Sequence, residues 1–143
     1  MKPAKRHILA FIAGVLATLV FHQGLIALLH AVGLLPIQPF NMMPTKPFGV
    51  PSVISLSFFG GLWGILIWQL IFKDTTSRQI FKSIIYGAVG PTAVAFLVVF
   101  PLRGNSVPLS FIPVGLLLNG VWGFGVWAFM KLAMITTASD HQN

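Results

Sequence analysis

Four long apolar stretches constrain this chain more than anything else in it. They cover about residues 8–34, 53–72, 80–100 and 111–135, and each reaches the roughly 20 residues needed to cross a hydrocarbon core. Of the 143 residues, 56% are apolar and 8% charged, against roughly 25% charged in an ordinary soluble chain. That leaves too little polar surface to cover such segments in water. In lipid, backbone polar groups must be satisfied within the segment, so each stretch is expected to be a helix. The expected fold class is an all-α membrane protein, with residues 1–143 forming one domain of four transmembrane helices. The first stretch is over-long, so it should tilt or project beyond the bilayer. Its basic start looks like a signal peptide, but the apolar run from Ile8 to Leu35 is too long for one and lacks a convincing cleavage site, so it is read as retained.

Two of the stretches carry the same octad. Gly61-Leu62-Trp63-Gly64-Ile65-Leu66-Ile67-Trp68 returns, 59 residues on, as Gly120-Val121-Trp122-Gly123-Phe124-Gly125-Val126-Trp127. Both octads follow a Val-Pro pair, Val50-Pro51 and Val107-Pro108, and together they hold all four tryptophans. They fall in the second and fourth stretches, which run in the same direction. Two hairpin repeats in parallel relation, about an axis along the membrane normal, are therefore expected. The two glycines and the last tryptophan of each octad stand at i, i+3 and i+7, on one helical face. Gly60 and Gly64, like Ser57 and Gly61, add small residues four apart, and Gly115, Asn119 and Gly123 continue the pattern in the last stretch. Such spacing lets helix backbones approach closely in lipid. Gly60, Gly61, Gly64, Trp63, Trp68, Gly120, Gly123, Trp122 and Trp127 are the expected helix-packing residues. Trp68 and Trp127 also lie where an interfacial aromatic belt is expected. Trp63 and Trp122 lie too deep for that; packing is the plain reading, and an indole-lined slot for a quinone, lipid or pigment the alternative.

The basic residues give an orientation. Lys2, Lys5, Arg6, Lys73, Arg78, Lys82 and Lys131 fall on one side, and only Lys46 and Arg103 on the other. Both acids, Asp74 and Asp140, belong to the basic side. The positive-inside rule then places both termini in the cytoplasm of a multi-pass protein of a cell inner membrane. Anionic headgroups account for the net charge of +7, so no nucleic-acid partner is expected.

The connections differ in character. The outer loop from Leu35 to Ser52 holds five prolines, Pro36, Pro39, Pro44, Pro47 and Pro51, which excludes a regular helix or a central strand. Its Phe40, Met42, Met43 and Phe48 suit a loop that caps the bundle or lies on the membrane. Lys73 to Gln79 is a short polar link between antiparallel helices. Arg103-Gly104-Asn105 reads as a turn, Pro91 as a kink site, and the polar tail after Thr137 as frayed.

His22, Gln23 and Asn119 are the intramembrane polar candidates. At ~1.5 Å per residue from Ile8, His22 lies roughly 21 Å into the span, where an ionisable residue is a functional candidate. Asn119 reaches a comparable depth from the opposite side, so a His22–Asn119 hydrogen bond is expected. That pair is either structural or part of a passage for water, ions or protons. His30 reads as an interfacial histidine, with a copper(I) site beside Met42 and Met43 as the lesser alternative. Gln69 is expected to snorkel or to bond a neighbouring helix.

Other chemistries find no footing. The chain has no cysteine, so thiol catalysis and thiolate metal sites are excluded. Ser52, Ser55, Ser57 and Ser110 have His30 as a prospective base but no acid to orient it, and no G-x-S-x-G elbow occurs. No phosphate-cradling loop is present. Haem held by two histidines would require two subunits. No cofactor and no enzymatic activity are expected.

Phe21-His22-Gln23-Gly24, Pro47-Phe48-Gly49-Val50-Pro51 and Gly60-Gly61-Leu62-Trp63-Gly64 together resemble a family of small four-helix bacterial inner-membrane proteins. The resemblance spans nearly the whole chain and implies no activity and no site, because none is assigned to that family. Small four-helix exporters rely on a membrane-embedded glutamate missing here, and small fluoride channels on a glycine-arginine signature also missing. The function expected is that of a non-enzymatic membrane component, assembling with the lipid bilayer, with itself or within a larger membrane complex. The alternative is a small oligomeric channel or transporter for ions or small solutes, lined by His22, Gln23 and Asn119.

Overall fold

A computed structural model describes residues 1–139. Four helices long and apolar enough to cross a membrane make up most of it. Helix α1 is Pro3–Ala31, α2 Ser52–Ile71 and α3 Thr76–Leu102. Helix α4, Ile112–Ser139, follows a 3-10 turn at Leu109–Phe111. Neighbours in sequence pack side by side, and α4 closes the bundle against α1 more extensively than α2 meets α3. Asp140, assigned above to the basic side, lies outside the described residues, as does most of the tail expected to fray.

Small residues face inward and large ones outward. Ala10, Ala13, Gly14, Ala17 and Thr18 are the buried face of α1's first half, while Ile8, Ile12, Leu16 and Val20 are exposed. In α2, Ser57, Gly61 and Gly64 are buried while Phe58, Phe59, Leu62 and Leu66 are exposed. In water this would be an aggregating surface. In lipid it is the expected arrangement, since association there comes from close backbone packing rather than from hiding apolar area. The main core joins Ala13 and Ala17 to Ile67, Trp68, Trp122, Val126 and Met130. A smaller cluster of Ile26, Leu35 and Leu118 lies toward the proline-rich loop.

The helix ends follow local rules. Pro3 stands in the first turn of α1, where its missing N–H costs nothing. The helix stops at Ala31, short of the expected 34, because Gly33 adopts φ +74°. The N–H groups of Gly33 and Leu34 fold back onto the carbonyls of His30 and Leu29, a left-handed glycine termination. At α2 no side chain caps the start; the N–H groups of Ser52 and Val53 donate instead to the loop carbonyls of Met43 and Asn41. At its other end, Gln79 donates to the carbonyl of Phe72 at 3.3 Å.

The proline-rich loop contains one regular feature. Pro44–Thr45 and Val50–Pro51 pair antiparallel, and Thr45 bonds the carbonyl of Val50 at 2.8 Å. This pairing is short and at an edge, a strand context that proline tolerates.

Two wide turns with π-type bonding interrupt the helices, at Thr18–His22 in α1 and at Ala95–Val99 in α3. The first begins just where the Gly14 carbonyl takes two side-chain donors, the Thr18 hydroxyl at 2.9 Å and the Trp122 indole at 3.1 Å. Side chains competing for a ladder carbonyl are a known cause of such irregularity. The second follows Pro91, which lies inside α3 and withholds an N–H from the ladder.

Candidate functional site

The two octads sit at two close helix crossings. Where α1 meets α2, a side chain added at Gly64 would lie 2.5 Å from the Ala10 carbonyl oxygen and 3.0 Å from the Gly14 Cα. Where α3 meets α4, one added at Gly123 would strike the Ser83 carbonyl and come within 3.1 Å of the Gly87 Cα. One added at Gly87 would meet the Asn119 carbonyl oxygen at 2.7 Å. Ala10 and Gly14 thus face Gly60 and Gly64 at one crossing, as Ser83 and Gly87 face Asn119 and Gly123 at the other. Gly61 lies under the Phe11 ring, whereas Gly120 makes ordinary contacts with Ala88 and Ile84. These glycine faces hold helices together within one chain.

The first tryptophan of each octad reaches across the bundle. Trp63 on α2 covers Gly90 of α3, and Trp122 on α4 donates to Gly14 of α1. The second ones differ. Trp68 is buried in the main core, 2% exposed, and its indole N–H has no hydrogen-bond partner. The boundary-anchor reading of Trp68 therefore gives way to packing, because a belt tryptophan keeps its polar edge at the headgroups. Trp127 is partly buried against the Phe124 ring. A groove of about 330 Å³ lies between Phe11, Val15 and Leu19 of α1 and Val53, Ile54 and Phe58 of α2. None of the four tryptophans lines it.

The three intramembrane polar candidates do not converge. Asn119 donates through Nδ2 to the Thr92 hydroxyl at 2.9 Å, on α3. The expected His22–Asn119 bond is replaced by this one, because α4 packs most closely on α3 and presents Asn119 to it. Gln23 is buried and turns to the loop, where its Oε1 accepts the Phe40 N–H at 2.6 Å. Phe40 has φ +50°, a left-handed conformation uncommon for a bulky residue, and this bond is one of the contacts that hold it. His22 Nδ1 is buried with no hydrogen-bond partner. Sequence reasoning missed Thr92, a residue that gains importance only from its partner on another helix.

His30 donates through Nδ1 to the Leu35 carbonyl at 3.0 Å, which ties the end of α1 to the loop. Met42 and Met43 are exposed. Among the described residues, no three His, Cys, Asp or Glu side chains gather to hold a metal ion.

The opposite end of the bundle carries a polar cluster. Gln69 of α2 accepts from Arg6 Nη2 at 3.1 Å and meets His7 through its amide nitrogen. The Arg6 guanidinium lies 3.9 Å above the Phe72 ring centroid, and the Lys73 ammonium 5.6 Å from the same centroid. The expectation that Gln69 bonds a neighbouring helix is met; its partners were not foreseen, since α1 and α2 are far apart in sequence. Asp74 is paired with Lys82 at 2.8 Å.

No protein-family model matches the chain, and neither does any curated protein or solved structure.

Proposed function

We propose that this protein is a non-enzymatic component of a bacterial inner membrane, crossing it four times with both termini in the cytoplasm and acting by assembly with itself or another membrane protein. The observation that carries this reading is the use of polar groups inside the spans. Asn119 holds α4 to α3, Trp122 holds α4 to α1, and Gln23 holds the loop to α1. Polar side chains that tie helices together build a scaffold. The charge count supports the orientation. The matching pairs at the two crossings, Ala10–Gly14 on Gly60–Gly64 and Ser83–Gly87 on Asn119–Gly123, support descent from a duplicated hairpin. Since the glycine faces are occupied within the chain, assembly falls to the outward Phe, Leu and Ile side chains. Purification in mild detergent, with mass determination and identification of bound proteins, tests the reading. A defined oligomer or a reproducible partner is expected; a solitary monomer would sink it.

A small oligomeric channel or transporter for ions or solutes is the second reading. One observation favours it: the buried, unpartnered Nδ1 of His22. Flux through reconstituted vesicles that falls in His22→Ala, with assembly unchanged, would establish it over the first; absence of flux across common ions and solutes would remove it.

A further inference from the structure

The end of the bundle that carries the N-terminus brings Arg6 and Lys73 together, and among the described residues neither is in an ion pair. Arg6 of α1 and Lys73, just beyond α2, share the Phe72 ring and so lie within about 10 Å of each other, roughly one Debye length at physiological salt. Gln69 fixes the Arg6 guanidinium from the side. Lys5, in the first turn of the same helix, and Lys2, just before it, are exposed, as is Lys73. The first turn of α1 contains no acidic residue. Asp74, the only acid among the described residues, is engaged by Lys82. Like charges held at this spacing repel, and an anion placed between them removes the repulsion.

The surroundings select the kind of anion. Ile8, three residues on from Lys5, and Leu70 and Leu66, three and seven residues before Lys73, are exposed aliphatic side chains. A ligand seated here meets positive charge at one end and apolar surface at the other. The other end of the bundle has no such arrangement: Arg103 reaches Ser55 at 3.4 Å, and Lys46 is the only other cation on that side.

We propose that Arg6 and Lys73, which share the Phe72 ring, form with the exposed Lys2 and Lys5 at the start of α1 a binding site for the phosphate group of an anionic phospholipid. The site rests on the reading of the protein as membrane-embedded. Arg6 is the fixed point, held by Gln69 and stacked on Phe72, and the lysines close on the phosphate from the exposed side. A guanidinium held in plane suits phosphate oxygens, whereas ammonium groups act as mobile point charges. Phosphatidylglycerol meets these requirements; phosphatidylcholine carries the same phosphate with a neutralising cation.

The test uses the full chain in mild detergent, titrated with phosphatidylglycerol or phosphatidylcholine and read by native mass spectrometry. Preferential retention of phosphatidylglycerol is expected. The Lys5→Gln/Lys73→Gln double variant, altered only at exposed positions, should weaken that retention by about fivefold for each cation removed. Lys46→Gln/Arg103→Gln, at the opposite end, should leave it unchanged. Equal retention of the two lipids, or equal losses in the two double variants, would overturn the site. Displacement of phosphatidylglycerol by inorganic phosphate at matched concentration would assign the cluster to a soluble anion and overturn the lipid. Carbonate extraction of membranes separates the two levels: protein released to the soluble fraction sinks the membrane reading itself, whereas embedded protein without lipid preference sinks the site alone.

Discussion

The Trp122 indole donates its N–H to the backbone carbonyl of Gly14, 108 positions earlier, at 3.1 Å. The bond joins the last helix to the first, and the same carbonyl also accepts the Thr18 hydroxyl at 2.9 Å. Gly14 also needs to lack a side chain: a Cβ there would collide with the Gly60 backbone and lie 2.9 Å from the Gly61 Cα. One glycine thus sets the α1–α2 spacing and anchors α4.

Trp122→Phe keeps a ring in the core and removes this donor. It should cost about 1 kcal/mol more than Trp68→Phe, whose indole N–H has no partner, since a buried hydrogen bond contributes about that much net. Unfolding in mixed micelles with increasing denaturing detergent measures both. Equal losses would show that the Trp122 bond adds nothing.

Gly64→Ala and Gly123→Ala should each destabilise by about 1–3 kcal/mol, the range for overfilling a packed contact. The atoms opposing the new methyl are backbone, which has no rotamer to retreat into. Gly24→Ala, with no heavy atom within 4 Å of the new group, should show no loss and serves as the control. The same unfolding assay decides, and a Gly24 variant as damaged as the others would refute the packing account.

Asn119→Leu and Thr92→Val should couple in a double-mutant cycle by about 0.6 to 1.7 kcal/mol, the span found for hydrogen bonds between membrane helices. His22→Ala and Asn119→Leu should be additive within about 0.5 kcal/mol. Coupling in the second cycle instead of the first would restore the pair expected from depth alone.

Gln23→Leu should speed hydrogen exchange at the Phe40 amide by about fivefold, as expected when one hydrogen bond worth about 1 kcal/mol is lost. Exchange at the Ser52 and Val53 amides, which bond within the loop, should change less. Unchanged exchange at Phe40 would mean that the loop holds its left-handed residue without Gln23.

The number and nature of the helices were legible because apolar runs of about this length have one outcome. Helix ends were legible only in part. Pro51 marked the start of α2, yet the end of α1 depended on Gly33 turning left-handed just ahead of Pro36. Of the polar candidates, Asn119 bonds Thr92 rather than His22. Counting residues along a span gives an expected depth but no azimuth: His22 and Asn119 are expected at matching depth, while the rotation of α4 gives Asn119 to Thr92.

By itself the sequence determined four apolar helices and the glycine-rich faces along which they approach, because these depend on composition and on spacing along one helix. Only the tertiary structure decided which face meets which partner: Gly64 on Ala10, Gly123 on Ser83, Trp122 on Gly14, and Arg6 with Lys73 on Phe72. The reason is physical. Spacing along a helix is set by covalent geometry, whereas the relative rotation of two helices is a compromise among all the contacts of the bundle at once.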